Sequence, residues 1–101
     1  MFASTPHPPY YAVIFTAKKS TDDEGVHETA TKLLALVQDH PGFLGVENVD
    51  GAAEITVSYW EDLASIAKWK KNADHALAQT HGAQNWYVKY KVRIARMERE
   101  Y

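Results

Sequence analysis

The sequence predicts a single α+β domain of element order βαββαβ, a ferredoxin-like arrangement with two helices on one face of a four-stranded antiparallel sheet. Three observations predict it. Four segments are rich in β-branched and aromatic residues at strand spacing, two others repeat apolar residues at helical spacing, and 101 residues suffice for one core only. Residues 10–101 are assigned to this domain, and residues 1–9, with Pro6, Pro8 and Pro9, to an extended N-terminal arm.

Tyr10–Ala17 is a nearly continuous apolar run that follows a proline pair, and it reads as a strand buried on both faces. Ser20, Thr21 and Asp22 then offer N-cap oxygens. Asp22, Asp23 and Glu24 complement a helix dipole, and Ala30, Leu33, Leu34 and Val37 recur on one helical face until His40-Pro41-Gly42 stops the pattern. Helix one is expected over Thr21–Asp39. Phe43–Val49 and Glu54–Trp60 flank the turn signal Asp50-Gly51, which predicts a hairpin of strands two and three. Tyr59 and Trp60 are adjacent, so one faces a pocket and the other a dimer seam.

Glu61 and Asp62 start helix two, whose stripe is Leu63, Ile66, Ala73 and Leu77 with Trp69 on its flank. Lys70 interrupts that stripe. With Asn72 it predicts a break near Lys71 and a second helical piece running to about His81-Gly82. In Tyr87–Glu100 the apolar phase flips from Val88, Tyr90, Val92 and Ile94 to Ala95 and Met97, which predicts a strand with a bulge near Ile94–Arg96.

Composition narrows the function classes. A net charge of −2 gives no global pull on a polyanion, and strand three lacks the Lys/Arg-Gly-aromatic motif of RNA-recognition domains, so nucleic acid is not expected as a partner. The Lys89, Lys91 and Arg93 row reads as a solvated strand edge. No segment has the roughly 20 apolar residues of a membrane span, and the expected location is the cytoplasm. Cysteine is absent, which excludes disulfides and thiol chemistry. His7 falls in the arm, His40 serves its turn, and His27 and His81 have no partners at metal-ligand spacing, so no metal site is expected.

Two helices cover one sheet face, yet the strands carry apolar residues on both. A second copy of the chain is the expected cover, in a two-fold dimer with sheets packed face to face. Strand four qualifies this, because its Lys/Arg side must lie at an edge or reach solvent along its stems.

Three stretches together, Pro-Pro-Tyr-Tyr-Ala-Val-Ile-Phe at 8–15, His-Pro-Gly-Phe-Leu-Gly-Val-Glu at 40–47 and Ile-Thr-Val-Ser-Tyr-Trp-Glu-Asp at 55–62 followed by Trp69, resemble the antibiotic-biosynthesis-monooxygenase family of dimeric α+β barrels. The resemblance runs from Tyr10 to about Glu98. It implies a homodimer with a cavity between sheet and helices in each subunit. It also implies one of two chemistries: oxygenation of a small aromatic or quinol-like substrate by dioxygen without a cofactor, or haem binding and opening.

The haem-degrading members carry an Asn on strand one, where this chain has Val13 and Ile14, and an axial His where it has Gln79; Trp69 alone matches. By resemblance to the cofactor-free members, the catalytic candidates are His75 as base and Trp69 as wall and donor. Tyr11, Tyr59, Trp60 and Trp86 are the substrate-binding candidates. His75 reaches the pocket only if helix two breaks near Lys71; on a continuous helix it is an ordinary solvated histidine, and Trp69 equally could serve packing. A dimer that binds an aromatic ligand or haem without turnover is the alternative reading.

Overall fold

The computed structural model describes residues 2–19, 26–78 and 87–101. Its elements are β1 (Tyr10–Lys19), α1 (Val26–Gln38), β2 (Phe43–Asp50), β3 (Ala53–Trp60), α2 (Leu63–Ala78) and β4 (Tyr87–Met97). The fold is α+β and ferredoxin-like, a four-stranded antiparallel sheet of order β2-β3-β1-β4. β2 and β4 are its edges. The expected caps of helix one at residues 20–22, together with Gln79, His81 and Trp86, lie outside the described residues.

The core forms where both helices meet the β2–β3 half of the sheet. Val37 of α1, Trp60 of β3 and Ile66 of α2 are buried, with Tyr11, Val13, Phe43 and Trp69 packed around them. Side chains alternate along each strand, so the registers Tyr11↔Trp60, Val13↔Ser58, Phe15↔Thr56 and Phe43↔Trp60 define the helix-covered face. Tyr10, Ala12, Ile14, Tyr59, Val57, Ile55, Gly45 and Glu47 therefore belong to the helix-free face.

Two expectations are corrected. α2 is one helix through Lys71. Lys70 does not interrupt its buried stripe because the stripe is rotated: Ile66, Trp69, Ala73 and Ala76 point inward, while Leu63 and Lys70 are exposed, Lys70 pairing with Asp74 at 2.7 Å. The second correction concerns β4, whose pairing with β1 is unbroken from Met97 to Lys89; the irregularity falls between Lys18 and Lys19, where Val88 is skipped. The flip in hydrophobic phase is a change in what the helix-free face needs. That face is cationic along Lys89, Lys91 and Arg93 and turns apolar at Ala95 and Met97, which sit opposite buried Ala12 and Tyr10.

The turn joining α1 to β2 is set by Gly42, whose φ is +85°. A side chain there would strike Ser65 at the start of α2. The Gly42 carbonyl accepts the Glu61 N–H at 2.8 Å, so this turn locks the entry of β2 to the exit of β3. Asp62 caps α2 by accepting the Ser65 N–H at 2.7 Å, and that bond holds its carboxyl below the usual carboxylate range.

Residues 2–9 form no helix or strand. The arm nonetheless touches the sheet: the Ala3 N–H donates to Glu47 Oε2 at 2.9 Å, and Ala3 occupies the space a side chain at Gly45 would need.

Candidate functional site

The turn between α1 and β2 and the first turns of α2 converge on Trp60, which is fully buried. Trp69 stacks on it at 6.2 Å between ring centroids, Phe43 meets it edge-on at 5.4 Å, and its Nε1–H donates to Ser58 Oγ at 2.9 Å. His40 completes the cluster, edge-on to Trp60 at 5.7 Å and to Trp69 at 5.6 Å. Its Nδ1 lies 3.0 Å from the Pro41 carbonyl. A carbonyl only accepts, so Nδ1 is the donor and Nε2 of the neutral ring keeps its lone pair.

Beside this corner the helix side of the sheet opens out. The helices pack on β2 and β3, whereas the β1–β4 half of the same face is floored by Val13 and Phe15 and by Tyr90, Val92 and Ile94, the last three 63%, 48% and 55% exposed. Phe15 and Tyr90 stack at 5.8 Å. The helix side of β1 and β4 thus presents an exposed apolar strip, and Val13 within it packs against the core that holds Trp60 and Trp69.

The structure gathers some predicted residues and separates others. Trp60 and Trp69 are together, with Tyr11 half-buried against the same core. Tyr59 faces the other way, settling which of the adjacent aromatics looks toward the helices. Its hydroxyl donates to Glu47 Oε1 at 2.7 Å, and burial foremost, then that bond, push its pKa up to about 12. His75 is exposed on the continuous α2, without the bend that would turn it inward. His40 was assigned to its turn by sequence. It does serve the turn, and it also joins the two indoles; their separation along the chain hides this, and the only signal is the proximity of the Pro-Gly-Phe turn to the core. Among the described residues no three His, Asp or Glu side chains are grouped to hold a metal, and no helix is long and apolar enough to cross a membrane.

No protein-family model matches the sequence. The uncharacterized protein YqjZ of Bacillus subtilis is 46% identical over 101 residues, covering 97% of this chain and 88% of YqjZ. The chain belongs to the YqjZ family. Among solved structures, SnoaB of Streptomyces nogalater, a cofactor-independent oxygenase, superposes with a TM-score of 0.74 over 90% of this chain and 95% of its own, at 6% identity. A Chloroflexus aurantiacus protein provisionally assigned as an antibiotic biosynthesis monooxygenase superposes at 0.68 over 91% and 96%, with 10% identity. YqjZ-family chains such as this one therefore share the fold of antibiotic-biosynthesis-monooxygenase-like proteins.

Proposed function

We propose that this chain is a monooxygenase that acts as a homodimer on a small aromatic or quinol-like compound, using dioxygen and no bound cofactor. The observation that carries the reading is the exposed apolar strip of Tyr90, Val92 and Ile94 on the helix side of the sheet, together with an imidazole edge-on to two stacked indoles. The substrate's rings would lie on Phe15, Val92 and Ile94, with its phenol toward His40 and Trp69. An imidazole nitrogen with a free lone pair takes the phenol proton, and the Trp69 N–H is a donor for the oxyanion. The anion then gives an electron to dioxygen. One oxygen atom enters the substrate and the other leaves as water with the two hydrogens lost from the oxidised carbon, so no outside reductant is needed. The base falls to His40 because it lies in the cluster, whereas His75 stands exposed on the continuous α2.

The SnoaB fold supports this class of chemistry. Support for the dimer comes from the helix-free face, where Val49 and Ile55 are 62% and 47% exposed. Where haem-degrading members of the resembled family would present Asn on strand one, this chain has Val13 and Ile14, of which Val13 packs against the core, so haem has no polar contact there.

Oxygen uptake with anthrone- and quinol-like phenols tests the reading. The wild type is expected to consume oxygen, with losses of about a hundredfold in His40→Ala and Trp69→Ala and little change in His75→Ala. Loss confined to His75→Ala would move the base to His75. Saturable quenching of tryptophan fluorescence by the phenols without oxygen uptake would leave a binding protein, and haem titration in the same assay reads the haem alternative.

A further inference from the structure

The hydrophobic pattern of β4 changes phase at Ala95, and the change alters both faces of the sheet. On the helix-free face it brings in Ala95 and Met97; on the helix side it sets Arg96 in line behind Tyr90, Val92 and Ile94. From Tyr11 to Ala17 on β1 and from Tyr90 to Arg96 on β4, the helix-side residues are apolar or aromatic except for Arg96. Arg96 lies directly across from Tyr11, and Tyr11 directly across from Trp60. One cross-strand row therefore runs guanidinium, phenol, indole, at the end of the sheet that carries the Trp60 cluster. Arg96 is exposed and Tyr11 half-buried. Among the described residues no hydrogen bond or ion pair engages either side chain. The acids that strand alternation puts on this face, Asp50 and Glu54, lie at its opposite end, in line with Ala17.

An exposed cation gains little from a pairing made in open water. The same pairing strengthens once an apolar body covers the strip and excludes water from the guanidinium, because charges interact more strongly in a lower dielectric. The strip is a bed for such a body. Alternate strand residues stand about 7 Å apart, so Ile94 and Val92 extend the apolar floor about 14 Å beyond Arg96, room for a fused aromatic ring system. We propose that Arg96 selects substrates that carry a carboxylate. The carboxylate accepts two parallel N–H···O bonds from the planar guanidinium fork and a third from the Tyr11 hydroxyl. This rests on the reading of the strip as the substrate's bed, and it narrows the substrate class from any small phenol to a phenolic aromatic acid.

Calorimetric titration with a hydroxynaphthoic acid and with its methyl ester tests this. The wild type is expected to bind the acid at least about tenfold more tightly than the ester, Arg96→Gln to bind the two alike, and Tyr11→Phe to keep a reduced preference. Arg96→Lys should retain part of the preference, since an ammonium keeps the charge and loses the fork. Arg96 is exposed, so its variants should melt like the wild type, which separates lost selectivity from a lost fold. Equal binding of acid and ester by the wild type, or a preference that survives Arg96→Gln, would overturn the assignment. Oxygen uptake on the same two compounds keeps the readings apart. Selectivity through Arg96 without turnover retains this inference and removes the oxygenase, whereas turnover of acid and ester at equal kcat/KM removes this inference alone. A wild type that binds neither compound would overturn both.

Discussion

The two faces of the sheet are fastened near the same strand ends by different physics. On the helix side, Trp60 is sealed by Phe43, Trp69, Val37 and Ile66, and its one polar atom is satisfied by Ser58. On the helix-free side, the neighbouring residue Tyr59 meets Tyr10 edge-on at 5.8 Å, and each phenol donates to a carboxylate, Tyr59 to Glu47 and Tyr10 to Glu100, both at 2.7 Å. The arm is tied into this second cluster through Ala3 and through Thr5, whose hydroxyl donates to Glu100 at 3.1 Å. Dispersion and area burial hold the first cluster. The second depends on the charge of two carboxylates, so it should respond to pH.

The comparison is broken most severely by Trp60→Ala, which should lower stability by about 3–5 kcal/mol in denaturant unfolding, because a large cavity opens where the helices meet the sheet. Gly42→Ala comes next, at about 1–3 kcal/mol, from a positive φ combined with a clash against Ser65.

The clasp on the other face behaves differently. Tyr59→Phe should cost about 1–2 kcal/mol at neutral pH, the value of a hydrogen bond to a charged acceptor. Its pH dependence follows from the directions of the shifts. The bond from the Ala3 N–H, followed by that from Tyr59, holds the Glu47 carboxyl below its ordinary 4.5, so its stabilisation is present above that value and is lost as pH falls through the lower folded value. The Tyr59 phenol is raised, so its contribution is complete below 10.0 and disappears as pH climbs through about 12. Thermal melts should therefore show Glu47→Gln flattening the acid limb and Tyr59→Phe flattening the alkaline one. For Tyr10, the Thr5 bond pulls the phenol down but is outweighed by the Glu100 bond and burial, and the net direction is up. The smallest effect belongs to Lys70→Ala: the Lys70–Asp74 pair is solvated on α2, and its loss should not move the melting temperature measurably.

Much of the fold was legible because strand and helix periodicities are local. All four strands and both helices lie within a few residues of where the pattern puts them. Lys70 misled the reading of helix two, since Leu63 to Lys70 is also a helical spacing and nothing local says which of two adjacent stripes is inward. Trp69 decides it by packing on Trp60. The flip in β4 looked like a bulge for a related reason: an alternating pattern records which side chains are apolar, not which face each one occupies.

The candidate site was half legible. Trp60 and Trp69 could be singled out as aromatics beside acids and lysines, whereas His40 could not be placed with them, because its partners arrive from β3 and α2. The sequence by itself determined the element order, the hairpin, the glycine turn and the surplus of apolar residues on two sheet faces, all consequences of backbone preference and short-range spacing. Only the tertiary structure decided that Trp60 looks toward the helices and Tyr59 away, and that His40 lies edge-on to two stacked indoles. Those facts depend on strand register and helix rotation, which are fixed by contacts between residues far apart in the chain.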